Sequence, residues 1–153
     1  MVPLGLEQLS FRKERRMEGL GKLEKAVLAK LLDGDHPILA ALRFQAENGK
    51  LVSQELTGVG FFCNFAIPPE IPPLPSRMNF ELGDVHADIP GLKYKVGFIL
   101  FVRDGYMNML EGYTNGDDRW PDSVDSFDLA YDSEPRNVKA AKQWGQTPPN
   151  FRP

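Results

Sequence analysis

Glu111 is the residue whose setting in the sequence most suggests chemistry. It lies in residues 95–114, where two apolar runs flank the pair Asp104-Gly105. Such a pair predicts a β-hairpin, because a type I′ turn needs positive φ at both central residues. This register sets Glu111 opposite Phe98, on the most apolar face of the hairpin. A buried carboxylate is costly unless it is paired or hydrogen-bonded, so Glu111 is a structural ion pair, a solvated carboxylate at the edge of the core, or a site residue.

Four other residues complete the predicted site. Tyr113 lies two residues after Glu111 and shares its predicted face, and Glu55 and Thr57 share a face if residues 51–67 keep one alternation. Arg43 is the expected partner of Glu111, because a guanidinium can bind a carboxylate through two parallel hydrogen bonds. This set supports a small-molecule site, or an acid–base enzyme in which burial separates the pKa values of Glu55 and Glu111.

The elements that must position these residues change type along the chain. Apolar residues recur with a helical period over residues 18–32, and a second helix is expected over residues 36–47, with Asp35 as its N-cap. The strand candidates are residues 51–58, 59–67, 78–82 and 84–89, the two halves of the hairpin, and residues 126–131. The first two candidates are two strands or one long strand bent at its glycines. Helices first and strands afterwards predict an α+β fold, in which an N-terminal helical hairpin packs on a mainly antiparallel sheet of four to six strands.

The chain of 153 residues is expected to form one domain. Residues 1–16, which end in a short basic run, are predicted to be a disordered lead or an upstream extension before a natural start at Met17. Residues 17–132 form the predicted α+β domain, and residues 133–153 are predicted to be a mobile polar tail. The proline-rich residues 68–77 are expected to be a stiff loop or, alternatively, a ligand for an aromatic groove.

Composition and missing motifs exclude several classes of protein. The net charge of −3 offers no general attraction to nucleic acid or to an anionic membrane, and no apolar run approaches the length of a spanning helix. The single cysteine, Cys63, excludes an internal disulfide and fits a reducing cytosol. His36 and His86 are far apart, and the acidic residues 117–132 lack calcium-loop spacing, so no metal or other cofactor is predicted. No nucleophile motif is present either.

Three segments and a dipeptide carry a resemblance: residues 42–45 (LRFQ), residues 55–62 (ELTGVGFF), residues 110–114 (LEGYT) and Trp120-Pro121. They resemble small bacterial α+β proteins to which no activity is assigned, over about residues 17–131. The resemblance implies a bacterial, cytosolic protein, and by analogy such proteins are partners of larger ones. Because catalytic motifs are missing too, the leading prediction is a non-enzymatic binding protein with a protein partner. The alternative is the small-molecule site or acid–base enzyme described above.

Overall fold

A computed structural model describes residues 19–137 of the protein. Its elements are α1 (Lys22–Leu31), α2 (Pro37–Asn48), β1 (Lys50–Leu56), β2 (Gly60–Ala66), β3 (Phe80–Asp88), β4 (Val96–Arg103), β5 (Tyr106–Tyr113) and β6 (Asp128–Tyr131). The strands form one antiparallel sheet in the order β1-β2-β5-β4-β3-β6. The predicted α+β fold, with its helices N-terminal to the strands, is confirmed.

The helices and one face of the sheet enclose the core. The buried apolar residues of the helices are Leu23, Val27, Leu28 and Leu31 in α1 and Leu39 and Leu42 in α2. The sheet contributes Phe61, Cys63, Phe80, Leu82, Val96, Phe98, Leu100, Val102, Met107 and Leu110. We call this side of the sheet the core face and the opposite side the far face.

The cap of α2 differs from the prediction. His36, not Asp35, is the N-cap, and its Nδ1 accepts a hydrogen bond from the backbone N–H of Ile38 at 3.1 Å. The cause is Pro37, since a proline disfavours the helical conformation in the residue before it. His36 is accordingly extended, with φ −64° and ψ 133°, and takes the cap position.

β1 and β2 are two strands joined by a tight turn, so the single bent strand is wrong. Gly58 has φ +88° in this turn, and the N–H of Thr57 donates to the carbonyl of Gly60 at 3.0 Å. Within the hairpin Glu55 lies opposite Phe62. Glu55 therefore belongs to the far face, away from the buried Phe61.

The β4–β5 turn forms as predicted, but the register beyond it does not. Asp104 and Gly105 have φ values of 51° and 81°, the positive pair that a type I′ turn requires. Asn108 is then an extra residue in β5, because Val102 lies opposite Met107 whereas the preceding residue of β4 lies opposite Met109. This bulge shifts every later pair by one residue.

The bulge moves Glu111 off the core face. Glu111 lies opposite Ile99, whereas Phe98 lies opposite Gly112, which corrects the predicted Glu111–Phe98 pair. The shift brings Gly112 beneath the ring of Phe61, where a Cβ would overlap the ring. The bulk of a buried aromatic ring thus explains why a glycine, and not Glu111, occupies this core position.

Gln45 ties α2 to the hairpin turn and to the proline-rich loop. Its buried side chain donates to the carbonyls of Gly105 at 2.9 Å and Pro72 at 3.3 Å, and it accepts from the N–H of Met107 at 2.8 Å. Leu74 in that loop is only 1% exposed, and its N–H also donates to Gly105 at 2.8 Å. The loop is therefore packed against the domain, which disfavours a role as a ligand segment.

β3 is one strand with an irregularity between Leu82 and Val85, where two separate short strands were predicted. Asp84, in this irregularity, forms a two-point ion pair with Arg136 at 2.7 and 2.9 Å, and each side chain is 10% exposed. Arg136 lies beyond the predicted domain end at residue 132, so contacts of the domain extend at least that far. The predicted lead, Met17 and residues 138–153 lie outside the described residues.

Candidate functional site

Arg43 and Glu111 do not form the predicted ion pair. The guanidinium of Arg43 donates to the carbonyls of Leu32 and, at 2.9 Å, Gly34, and thereby fixes the connection between α1 and α2. Glu111 lies on the far face, across the sheet from the helices. The pairing is wrong because it depended on the register that the bulge at Asn108 changes.

The other predicted site residues are spread over the sheet. Glu55 and Glu111 share one row of the far face, with Phe62 between them. Two strand spacings separate their backbones, which is about 10 Å. Tyr113 lies in the next row, between two glycines, and Thr57 lies in the β1–β2 turn. The structure thus brings Glu55 and Glu111 onto one surface, but neither of them lines the cleft at the end of the β1–β2 hairpin.

This cleft has a volume of about 480 Å³, and we call it the β1 cleft. Its walls are the start of α1, the hairpin end and residues 119–124. Trp120 packs edge-on against Phe61 of β2, with ring centroids 5.2 Å apart. Gln54 of β1 donates to the carboxylate of Glu24 at 3.0 Å and joins the strand to α1.

The lining of the β1 cleft combines apolar surface with charges of both signs. Its apolar residues include Leu56, Phe61, Trp120 and Val124, and its charged residues are Lys22, Glu24, Arg119 and Asp122. A mixture of apolar side chains with polar and charged ones is common at protein interaction sites. Sequence reasoning did not assign Gln54, Arg119 or Trp120 to a site, because nothing in their local pattern indicates a shared cleft.

β1 forms one edge of the sheet and carries an unusual number of exposed apolar side chains. Val52 is 61% exposed, Leu56 is 74% exposed, and Val59 in the following turn is 55% exposed. Of the described strands only β2 pairs with β1, so the outer edge has backbone groups that no described strand uses. Proteins usually protect such an edge with charge, proline or a covering element, because it can pair with another chain.

On the core face, β2 places Cys63 next to β1. This residue lies opposite Gln54, and its side chain is fully buried. Burial first, and the negative charge of Glu24 second, raise the pKa of the Cys63 thiol to about 12. A thiol of this kind stays protonated, so nucleophilic chemistry at Cys63 is disfavoured.

Comparisons with protein-family models, curated proteins and solved structures find no match. The resemblance to small bacterial proteins therefore stays a prediction. Among residues 19–137, no group of three or more potential ligand side chains could hold a metal ion. No helix in this part of the chain is long and apolar enough to cross a membrane.

Proposed function

We propose that the protein is a non-enzymatic interaction protein that binds an extended segment of a partner protein along the outer edge of β1. One observation carries this proposal: an edge strand of seven residues bears exposed apolar side chains beside a cleft of about 480 Å³. Adding a strand to a sheet edge is a common mode of peptide recognition, in which backbone hydrogen bonds give affinity and side-chain pockets give specificity.

The geometry of β1 indicates what the partner segment must contain. Seven strand residues span about 23 Å, so a segment of similar length can pair along the whole edge. Leu56 and Gln54 lie opposite the buried residues Phe61 and Cys63, on the core face. A partner side chain on that face near Leu56 would enter the β1 cleft, and an apolar one would cover exposed surface of Leu56 and Trp120.

Charge adds a second requirement. Among the charged residues that line the β1 cleft, Lys22 and Arg119 are positive and Glu24 and Asp122 are negative. The net charge of this lining is therefore zero. Selectivity then depends on the apolar residue and on local charge pairs rather than on attraction between whole proteins. We infer a partner segment in which apolar residues alternate with polar or charged ones.

The alternative functions have less support from the geometry. Glu55 and Glu111 are separated by Phe62, and Arg43 binds backbone carbonyls at the α1–α2 connection. An acid–base enzyme needs groups that converge on one substrate, so this spread favours binding over catalysis by these residues.

A bacterial cytosol is the proposed location. The buried, protonated thiol of Cys63 fits a reducing compartment, where no disulfide is needed. The resemblance in residues 42–45, 55–62, 110–114 and 120–121 is the basis for the bacterial part of the proposal.

A displayed library of random peptides tests the proposal even though the partner is unidentified. Peptides selected on the full chain should share alternating apolar residues, and binding should weaken about tenfold or more with Leu56→Lys or Val52→Lys. Phe44→Lys is the matched control, because Phe44 on α2 is a similarly exposed apolar residue at 49% and is not in β1. It should leave affinity unchanged.

Two results would contradict the proposal. One is a selection that yields only peptides whose affinity is unaffected by the β1 substitutions. The other is concentration-dependent self-association that Leu56→Lys abolishes, because the edge of β1 would then serve to pair two copies of this chain.

A further inference from the structure

The far face of the sheet contains a second cavity of about 250 Å³, which we call the β3 pocket. It is smaller than the range of about 300–1,000 Å³ that is usual for sites of drug-sized ligands. Two glycines, Gly83 in β3 and Gly97 in β4, are among its lining residues. The ring of Tyr113 forms one wall, because it lies directly over Gly97, where any Cβ would overlap the ring.

His86 faces this cavity from the neighbouring strand. It lies opposite Gly97 in the β3–β4 pairing, one strand spacing of about 5 Å away. Its Nδ1 is 2.8 Å from a carboxylate oxygen of Asp132, and its side chain is 19% exposed. Within residues 19–137 its other ring nitrogen, Nε2, has no hydrogen-bond partner.

A chain of contacts behind His86 holds it in place. The N–H of Asp132 donates to the carbonyl of Asp84 at 2.9 Å. The carboxylate of Asp84 is in turn held by Arg136 in the two-point ion pair. The backbone of Asp132 is thus anchored to β3, and its carboxylate holds the His86 ring at one nitrogen, which is how binding sites commonly orient a histidine.

The charges around the β3 pocket select the class of ligand. Lys95 lines the pocket and forms no ion pair among the described residues. Because Nδ1 of His86 binds Asp132, Nε2 is the ring nitrogen left for a ligand of the pocket. Lys95 supplies a positive charge in the lining, and the carboxylate of Asp132, which also lines the pocket, is already bound by His86.

We propose that the β3 pocket binds a small molecule through a carboxylate or phosphate group, with Lys95 and Nε2 of His86 as its polar contacts. This site is independent of the strand addition proposed for β1. The two proposed sites take different ligands: an extended protein segment at the edge of β1, and a small anion on the far face between β3 and β5.

Nuclear magnetic resonance titrations test this site with two defined compounds, inorganic phosphate and acetate, at constant ionic strength. The protein has two histidines, so the ring signals of His86 can be followed beside those of His36 as an internal reference. We expect saturable shifts at His86 and at the amides of Gly83 and Gly97 with at least one anion. The tighter of the two identifies phosphate or carboxylate as the natural group.

Matched variants separate a defined site from general attraction of anions. Lys95→Met should weaken binding about fivefold, and Lys93→Met, which changes an exposed lysine two residues away that does not line the pocket, should have no effect. His86→Gln should weaken binding as well, with amide signals elsewhere unchanged. Shifts that do not saturate with either anion, or equal weakening by the two lysine variants, would overturn the proposal.

Discussion

The two edges of the sheet differ in how the protein treats them. β6 is a strand of four residues fixed by charged and polar contacts, whereas β1 has seven residues and exposed apolar side chains. Short, charged edges are the usual protection against pairing with other chains. Among residues 19–137, this difference between a short edge anchored by side chains and a longer edge with exposed apolar residues supports protein binding at β1.

Side-chain contacts anchor β6 and the residues after it to α1 and β3. The hydroxyl of Tyr131 donates to the carbonyl of Lys30 at 2.6 Å, and the guanidinium of Arg136 lies 4.5 Å from the centre of the Tyr131 ring. Arg136 also donates to the carbonyls of Leu31 and Asp33, each at 2.7 Å. One side chain thus joins the end of α1, the irregular part of β3 and the last strand.

Removing this side chain should have the largest effect on stability. Arg136→Met leaves the carboxylate of Asp84 buried without its partner, and breaking a buried ion pair in this way costs about 3–5 kcal/mol. Arg77→Met is the matched control, because Arg77 and Asp104 form an ion pair at 3.3 Å with side chains 58% and 74% exposed. Chemical denaturation should show a loss under about 1 kcal/mol for that variant. Equal losses would mean that the β6 edge is not held by Arg136.

The centre of the sheet provides a reference for both edges. Gly105→Val should cost about 1–3 kcal/mol, because Gly105 has φ +81° and a Cβ there would lie 2.8 Å from the Cβ of Pro73. Gly91→Val is the control for backbone strain alone, since Gly91 has φ +95° with nothing within 4 Å of its added Cβ. Thermal unfolding should rank Gly105→Val as the more harmful. The reverse order would show that the turn is not packed against the proline-rich loop.

Measuring unfolding free energy as a function of pH tests whether the Cys63 thiol beside β1 is buried. The pKa of Cys63 is raised from 9.0 to about 12 in the folded protein, so above pH 9 the unfolded chain loses this proton and the folded protein keeps it. The stabilising contribution of the neutral thiol is therefore complete below pH 9 and falls as the pH rises toward 12. Relative to Cys63→Ala, the wild type should lose about 1.4 kcal/mol for each pH unit in this window. Parallel curves would place Cys63 in contact with water.

We expect the smallest effect on stability from a substitution at the edge strand β1. Leu56→Lys should change the free energy of unfolding by less than about 0.5 kcal/mol, because Leu56 is 74% exposed. Denaturation of this variant beside the wild type measures the change. A large loss of stability would mean that Leu56 has a structural role. Its exposure would then not support a binding function.

The sequence predicted local features well and pairings between distant segments poorly. Asp104-Gly105 identified the turn because its backbone requirement is local. The bulge at Asn108 depends on the ring of Phe61, which reaches Gly112 from another strand. The predicted carboxylate on an apolar face was itself a sign of a wrong register, since shifting the pairing by one residue moves Glu111 to the far face.

The same limit applies to the sites. His86 and Asp132 are 46 residues apart, and only the pairing of β3 with β6 brings them within 2.8 Å. The open edge of β1 depends on the order of all six strands, which no local pattern encodes. Arg43 was predicted to pair with Glu111 because of its guanidinium chemistry, but its hydrogen bonds to the α1–α2 connection determine its role.

Hydrogen exchange at β1 tests the central claim most directly. A peptide selected on the protein should slow exchange of those amides of Lys50–Leu56 that point away from β2, because strand addition gives them new acceptors. The amides of Asp128–Tyr131, in the edge strand β6 on the other side of the sheet, should exchange at the same rate with and without peptide. If a bound peptide instead slows exchange at β6 or elsewhere and leaves β1 unchanged, the edge of β1 is not the binding site.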